Sequence, residues 1–384
     1  MRVAINALFL QEPTVGQGRC LYNLLEALGQ VDGVTDYLVL GPKPPKVAPE
    51  TPSTFHWEVA PVGGPARGAN LEKLVWEQLG FPAAAKRGGA KLAHIPHFAP
   101  VYRSMGIPQV VTIYDVIMLA LPEYHMSPSA QLYTRLVSQA ARHADSIITT
   151  SEWSKGDIME YLRIPEERIT VIRIAPAPTF NRVTDPERLR AVRAKYGLGQ
   201  RFVLNVGGMD ARKNVERLIG AFAAVYHEMR EPDLKLFIVG DHTKLGTSPV
   251  YPDWRPLAES LDIGRQVVCA RVAEADLAAL YSAASCFAFT SRYEGFGLTP
   301  LEAMACGAPV VCSNATSLPE VVGSAGILVN PDNTDEIGAA IYRTLMAPEL
   351  NADLRARGLA HARQFNWRRV AAETSAHYAD IAGR

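Results

Sequence analysis

Glu294 and Glu302 bracket the stretch of this 384-residue chain richest in chemistry: Ser291-Arg-Tyr-Glu-Gly-Phe-Gly-Leu-Thr-Pro-Leu-Glu-Ala-Met-Ala-Cys-Gly-Ala-Pro-Val-Val311. It reads as a strand end, a loop with one carboxylate, and a helix with a second. Gly295 and Gly297 allow a tight turn with backbone N–H groups free just before a helix start, which suits an anion. A carboxylate beside an anion site suits a ligand with both phosphate and hydroxyl groups, and a sugar nucleotide has both. The helix signals predict Thr299 as N-cap, Pro300 at the first helical position, Glu302 at the third and Gly307 as the stop. The same Thr299-x-x-Glu302 spacing also fits a capping box, in which Glu302 only caps its own helix. Glu294 could equally be a solvated loop residue.

Val206-Gly-Gly-Met-Asp-Ala-Arg-Lys-Asn-Val215 is a glycine-rich strand-to-helix turn, through Gly208, bearing Arg212 and Lys213. Arg can bind two phosphate oxygens as a fork and Lys adds a point charge. Two cations at a helix start oppose the helix dipole, which points to an anionic partner. A surface basic pair is the plainer alternative. Asp241, after Val239-Gly240, is a plausible loop acid, and Arg271 and Val272 lie in a second loop of the same half.

In the first half, Gly16-x-Gly18 sits between a first strand and a first helix. It is not a dinucleotide fingerprint, because Leu21 stands three residues after Gly18. His94-Ile-Pro-His-Phe-Ala-Pro100 and Val110-Val-Thr-Ile-Tyr-Asp115 both read as strand ends. His97, with His125 nearby in sequence, fits a structural role as well as a functional one. Asp115 could orient a hydroxyl or serve as a turn acid. There is no Asp-x-Asp and no His/Cys cluster with metal spacing, so no metal is expected.

Lys+Arg and Asp+Glu both number 39, and the absence of a basic excess excludes nucleic acid as the expected partner. The five cysteines contain no Cys-x-x-Cys pair and read as small buried hydrophobes. No 18-residue apolar run offers a membrane span, and the N-terminus reads as a buried strand, not a signal peptide. Apolar runs at Val3–Leu8, Tyr37–Leu40, Leu92–Ile95, Val110–Ile113, Ser146–Thr150 and Ile169–Ile172 alternate with helical patterns. After a Pro-rich stretch, Ala175–Arg182, the pattern restarts with Phe202–Val206, Leu236–Val239, Cys286–Phe289, Val310–Cys312 and Gly326–Val329. Val-rich runs without polar alternation indicate parallel sheets covered on both faces, hence α/β architecture. Two doubly wound units in tandem imply ligand at the carboxyl ends of their strands.

The Glu294/Glu302 segment resembles the Glu-x7-Glu signature of the retaining glycosyltransferases of family 4, which have the GT-B fold of two Rossmann-like doubly wound domains facing across a cleft. The resemblance covers nearly the whole chain and is strongest from Phe202 to Val329. It implies an acceptor-binding domain at 1–178 joined by a crossover helix at 367–384, and a donor-binding domain at 179–366. It implies that Glu294 meets the donor sugar, Glu302 the ribose, and Arg212 and Lys213 the pyrophosphate, which makes Arg212, Lys213 and Glu294 the catalytic set. Gly16, Gly18, Gly208, Arg271, Val272, Gly295, Phe296, Gly297 and Leu298 complete the implied donor site, with His97, Tyr114 and Asp115 on the acceptor side. Many relatives have His-Asp where this chain has Tyr114-Asp115, so no histidine role carries over there. The implied function is retaining, metal-independent transfer of a sugar from a nucleoside diphosphate sugar, GDP-mannose first and a UDP-sugar second, to a glycan, lipid-linked or small-molecule acceptor. The nucleotide sugar is a co-substrate and no cofactor is implied. Alternatives are a GT-B sugar-nucleotide epimerase and a non-catalytic nucleotide-sugar-binding subunit. The expected setting is the cytoplasm, including peripheral association with the inner face of the membrane.

Overall fold

A computed structural model describes residues 1–11, 16–61, 69–99, 101–102, 104–124 and 128–383. The chain divides into two compact units, Met1–Ala175 with Asn366–Arg384, and Pro176–Phe365. His125 and the Pro13–Val15 part of the first glycine loop lie outside the described residues.

The first unit holds a seven-stranded sheet: β1 (Arg2–Asn6), β2 (Asp36–Gly41), β3 (Phe55–Val59), β4 (Leu92–Ile95), β5 (Gln109–Thr112), β6 (Ser146–Thr149) and β7 (Ile169–Val171). Their order is β3-β2-β1-β4-β5-β6-β7, and each neighbouring pair is parallel. The second unit holds β8 (Phe202–Val206), β9 (Lys235–Val239), β10 (Val267–Ala270), β11 (Cys286–Phe289), β12 (Val310–Ser313) and β13 (Ile327–Val329), in the order β10-β9-β8-β11-β12-β13. It too is parallel throughout. Strand order reverses beside β1 and β4 in the first sheet, and beside β8 and β11 in the second. The crevice outside the carboxyl ends of such strands is where α/β sheets bind ligands.

The apolar runs form strands because they are buried on both faces: Val3, Ala4 and Ile5 of β1 are fully inaccessible, as are Phe202, Val203 and Leu204 of β8. One strand, β3, carries no such run, and another, β10, has an apolar run that the sheet leaves half-buried. In β3 only Phe55 is buried, with His56, Trp57 and Glu58 interrupting the apolar pattern, and β10 is only half-buried throughout. Both lie at sheet edges, where one side of the strand has no neighbour to bury against. Cys269, read with the other cysteines as a buried hydrophobe, lies within β10 and is only half-buried. The first apolar run is strand only to Asn6; Leu8–Gln11 is a 3-10 turn.

The Trp367–Gly383 helix returns to the first unit. Trp367, Val370, Ala371, Tyr378 and Ile381 form its buried stripe. Tyr378 bonds His94 Nδ1 at 2.6 Å, and His94 Nε2 lies 2.8 Å from Thr112 Oγ1. Both ring nitrogens of His94 are thus engaged, and burial pulls its pKa down to about 3, keeping it neutral. Tyr378→Phe should leave one buried ring nitrogen without a partner and lower stability by about 1–3 kcal/mol. Urea denaturation should show a lower midpoint with an unchanged slope; an unchanged midpoint would mean that water replaces the hydroxyl at no cost.

Candidate functional site

In the second unit, the loops after β8 and β11 flank the point where strand order reverses. The β8 loop enters through Gly207, whose φ of +158° is at the margin of what side-chain-bearing residues adopt. A Cβ on Gly208 would lie 2.6 Å from Asp210 Oδ2. Ala211–Lys213 is a 3-10 turn, and Asn214 then adopts the left-handed conformation that Asn tolerates better than most residues. Asn214 Nδ2 donates to the Thr290 and Pro331 carbonyls at 3.1 and 2.7 Å, which ties this turn to the end of β11.

Three residues singled out from the sequence converge here. Arg212 Nη1 and Lys213 Nζ donate to the same oxygen, Glu294 Oε1, at 2.7 and 2.6 Å. Arg212 Nε also lies 3.0 Å from Asp210 Oδ1. Lys213 Nζ sits 4.9 Å from the centre of the Phe289 ring. Only 10% of the Lys213 side chain and 13% of that of Glu294 is exposed, so these charges need one another. Burial pushes the Glu294 carboxyl up, but Lys213 and Arg212 outweigh it and hold the group below its ordinary value of 4.5. Burial draws the Lys213 ammonium down, against the raising effect of Glu294. The backbone fixes the carboxylate as well. Glu294 N donates to Thr316 Oγ1 at 3.0 Å, and Ser317 Oγ lies 2.8 and 2.7 Å from the Glu294 and Phe296 carbonyls.

The helix after this loop starts earlier than its sequence signals suggest. It spans Leu298–Ala305, with Gly297 as N-cap at φ +109° and no side-chain cap. A Cβ at Gly297 would stand 2.7 Å from Leu318 Cδ2, so glycine is needed for space and for conformation alike. Thr299 is therefore not the N-cap, and Pro300 falls at the third helical position, where its missing N–H is still one of the free four. The capping box does not form. The buried Glu302 carboxylate instead accepts from Tyr281 OH at 3.3 Å. Gly307, at φ +75°, ends the helix as expected, with Gly307 N bonding Met304 O and Ala308 N bonding Ala303 O, both at 2.9 Å.

Arg271 follows β10 and pairs with Asp241 Oδ2 at 2.5 Å; Val272 next to it is half-buried. Asp241 also accepts from Thr243 N and Oγ1, and these bonds with Arg271 hold its carboxyl well below the usual range.

The first-unit residues form no single constellation. Gly16 opens the Gly16–Val31 helix at φ +42°, and Gly18 is buried inside the first turn of that helix, not in a loop before it. Asp115 Oδ1 accepts from Ile117 N at 3.1 Å, a turn acid at the head of the Ile117–Ala120 helix. Burial pushes the Tyr114 hydroxyl well above its usual value, with Cys20 beside it adding to the effect. His97 is 2% exposed and bonds Glu77 Oε1 at 3.2 Å. Glu77, Asp210, Thr316 and Ser317 were not visible as site residues, because single polar residues carry no motif until the fold places them. Among the described residues, no group of three His, Cys, Asp or Glu side chains could hold a metal ion, and no helix is long and apolar enough to cross a membrane.

Two parallel doubly wound units, with basic and acidic loops at the second sheet's reversal point, define a GT-B glycosyltransferase. Residues 15–174 match the model described as Glycosyltransferase Family 4, and residues 190–361 the model Glycosyl transferases group 1. The chain is 35% identical over 274 residues to O-antigen chain mannosyltransferase B of Escherichia coli, covering 69% of this chain and 68% of that one. It is 30% identical over 271 residues to the serotype-specific mannosyltransferase WbdA of Escherichia coli, covering 68% of this chain but only 32% of WbdA. In three dimensions it resembles sucrose-phosphate synthase of Thermosynechococcus elongatus, with a TM-score of 0.74, 22% identity and 99% of each chain covered. This chain belongs to the family 4 glycosyltransferases.

The Glu294 pairing has a sign that acid titration can check. Its folded pKa lies below its ordinary value of 4.5, so the stabilisation is complete above about 4.5 and is lost as pH falls through the depressed folded value. Glu294→Gln should flatten this acid limb of the stability–pH curve while leaving its neutral-to-alkaline shape alone. An acid limb identical to wild type would show that the carboxylate contributes no such linkage.

Proposed function

We propose that the second unit binds a nucleoside diphosphate sugar and that the chain transfers its sugar with retention of anomeric configuration. The observation that carries this reading is the convergence of Arg212 and Lys213 on one oxygen of Glu294 at the reversal point of the second sheet. Without ligand, the two cations spend their charge on Glu294. A diphosphate offers them more negative charge in a better fork geometry. As they turn to it, Glu294 is released to the hydroxyls of the donor sugar, and the ribose is assigned to Glu302, whose carboxylate accepts from Tyr281 OH without ligand.

In the transfer, the bond from the anomeric carbon to the diphosphate oxygen breaks and charge develops on that oxygen. Arg212 and Lys213 stabilise it. The acceptor hydroxyl attacks the same face, and its proton passes to the departing diphosphate. With two cations at the diphosphate, a divalent ion is not required. The mannosyltransferase relatives favour mannose, and GDP-mannose is the donor of first choice, ahead of a UDP-sugar. A glycan, free or lipid-linked, is the favoured acceptor.

Glu294→Gln should cut transfer by about 1.5–3 kcal/mol of transition-state stabilisation, roughly ten- to over a hundredfold. GDP binding should hold or tighten, because the cations lose their internal partner. Retained full turnover would remove Glu294 from the sugar site.

Arg212→Ala and Lys213→Ala should weaken GDP far more than guanosine, as read by calorimetry with both ligands. Equal losses would leave the pair a structural role only. Turnover should persist in EDTA, and a complete loss restored by manganese or magnesium would contradict direct neutralisation by the two cations.

A further inference from the structure

The first unit's sheet has an end that the transfer reaction leaves unused. Parallel strands place their amino ends together, opposite the carboxyl ends where such sheets take their ligands. At the amino ends of β5 and β6 lies a cavity of about 260 Å³. Tyr102, Ser104 and Gln109 line it from the chain that enters β5, and His143 and Asp145 from the chain that enters β6. None of the residues assigned to the donor or the acceptor is among its walls.

The backbone of these walls is fixed. Gln109, 4% exposed, accepts from Val101 N on its Oε1 at 2.6 Å, and Gln109 N donates to Asp145 Oδ2 at 2.7 Å. Tyr102 N donates to Gln78 Oε1 at 2.9 Å. Gln78 sits in a π turn, Trp76–Gly80, between the Ala69–Val75 and Phe81–Arg87 helices, a break in regular helix of the kind that recurs at functional sites. Gly106, at φ +72°, turns the loop, and its N–H donates to Ser104 Oγ at 3.2 Å.

On this frame the Tyr102 ring stays 53% exposed and edge-on to His143, 6.3 Å apart between centroids. One exposed aromatic is ordinary on a surface. Tyr102 differs because it borders a cavity whose polar groups are uncommitted. Among the described residues, nothing bonds the Tyr102 hydroxyl, either ring nitrogen of His143 or Asp145 Oδ1, and the Ser104 hydroxyl has no acceptor.

These groups select a class of ligand. Among the described residues no lysine or arginine lines the cavity, and Asp145 repels an anion, so phosphates and carboxylates are poor occupants. An ammonium group would use the acceptors and leave the hydroxyl and ring N–H donors idle. Neighbouring hydroxyls on a sugar ring use donors and acceptors together. The C–H face of the same ring packs on an aromatic side chain, and tyrosine offers that surface at small entropic cost. Pockets for whole drug-sized ligands start at about 300 Å³, so this one suits a single ring of a longer molecule.

We infer that the cavity is a glycan-holding site, apart from the acceptor subsite, that seats one neutral sugar ring with its C–H face on Tyr102 and its hydroxyls on Asp145 and His143. Only the choice of a mannose-built glycan as the ligand rests on the glycosyltransferase reading. A contact of this kind adds affinity for a chain already held elsewhere and takes no part in the chemistry.

The test uses the full chain with linear mannohexaose as probe. In NMR of the wild-type protein, the ring signals of His143 should move as mannohexaose is added and stay in place as GDP is added. The affinity read from those signals should fall at least about fivefold in Tyr102→Ala and in Asp145→Asn, while calorimetry shows GDP affinity within about twofold of wild type in both. His143 signals indifferent to mannohexaose, or an affinity unchanged in both variants, would overturn the site. So would L-lysine or inorganic phosphate moving the signals at lower concentration than the sugar. Failure of the wild type to bind GDP would instead count against the donor reading, and the His143 readout on wild type stands even if either variant does not fold.

Discussion

A buried charge must find an opposite charge, and in the second unit that constraint fixes the candidate site. Lys213 and Glu294 are both nearly inaccessible, and each is tolerable there only because of the other and of Arg212. The backbone around them is arranged to make the meeting happen. Asn214 in the left-handed region turns the chain so that Lys213 faces inward, Thr316 and Ser317 hold the Glu294 main chain, and Gly297 lets the helix begin where the loop ends. In the proposed function an incoming diphosphate replaces the carboxylate and sets it free, so that stability of the ligand-free chain and affinity for the donor draw on the same charges.

The first unit solves the same problem with neutral groups. Its buried polar atoms are mostly satisfied, as His94 is by Thr112 and Tyr378. Four atoms of the first unit are exceptions among the described residues: Asn6 Nδ2, Thr54 Oγ1, His97 Nδ1 and Ser138 Oγ. A buried polar atom left without a partner costs roughly 1–3 kcal/mol.

Helix boundaries show how a strong local signal can mislead. Thr-Pro-x-Glu at residues 299–302 carries every mark of a capped helix start, yet the helix begins at Leu298. Gly297 can adopt a conformation closed to other residues, and packing of Leu318 against it leaves no room for a side chain. The same happens at Gly18, which lies inside a helix turn despite its loop-like spacing. At Gly297 tertiary packing outweighed a capping preference worth about 1 kcal/mol.

By itself the sequence determined the two parallel sheets, because unbroken apolar runs can only be buried on both faces, and it marked a basic loop and an acidic one as site candidates, because each motif is local; that Arg212 and Lys213 pair with Glu294, 82 and 81 positions away, only the fold decided. It did not reveal β3, where His56, Trp57 and Glu58 break the apolar pattern at a sheet edge, nor β10, whose Val-Val-Cys-Ala run stays half-buried at the edge of the other sheet. It could not say that Glu302 would turn to Tyr281 and not cap its own helix, nor that Glu77 would be buried against His97. Those outcomes join residues 20 or 21 positions apart, and no local spacing encodes them. Only the folded chain decides which buried polar groups meet and which are left without a partner.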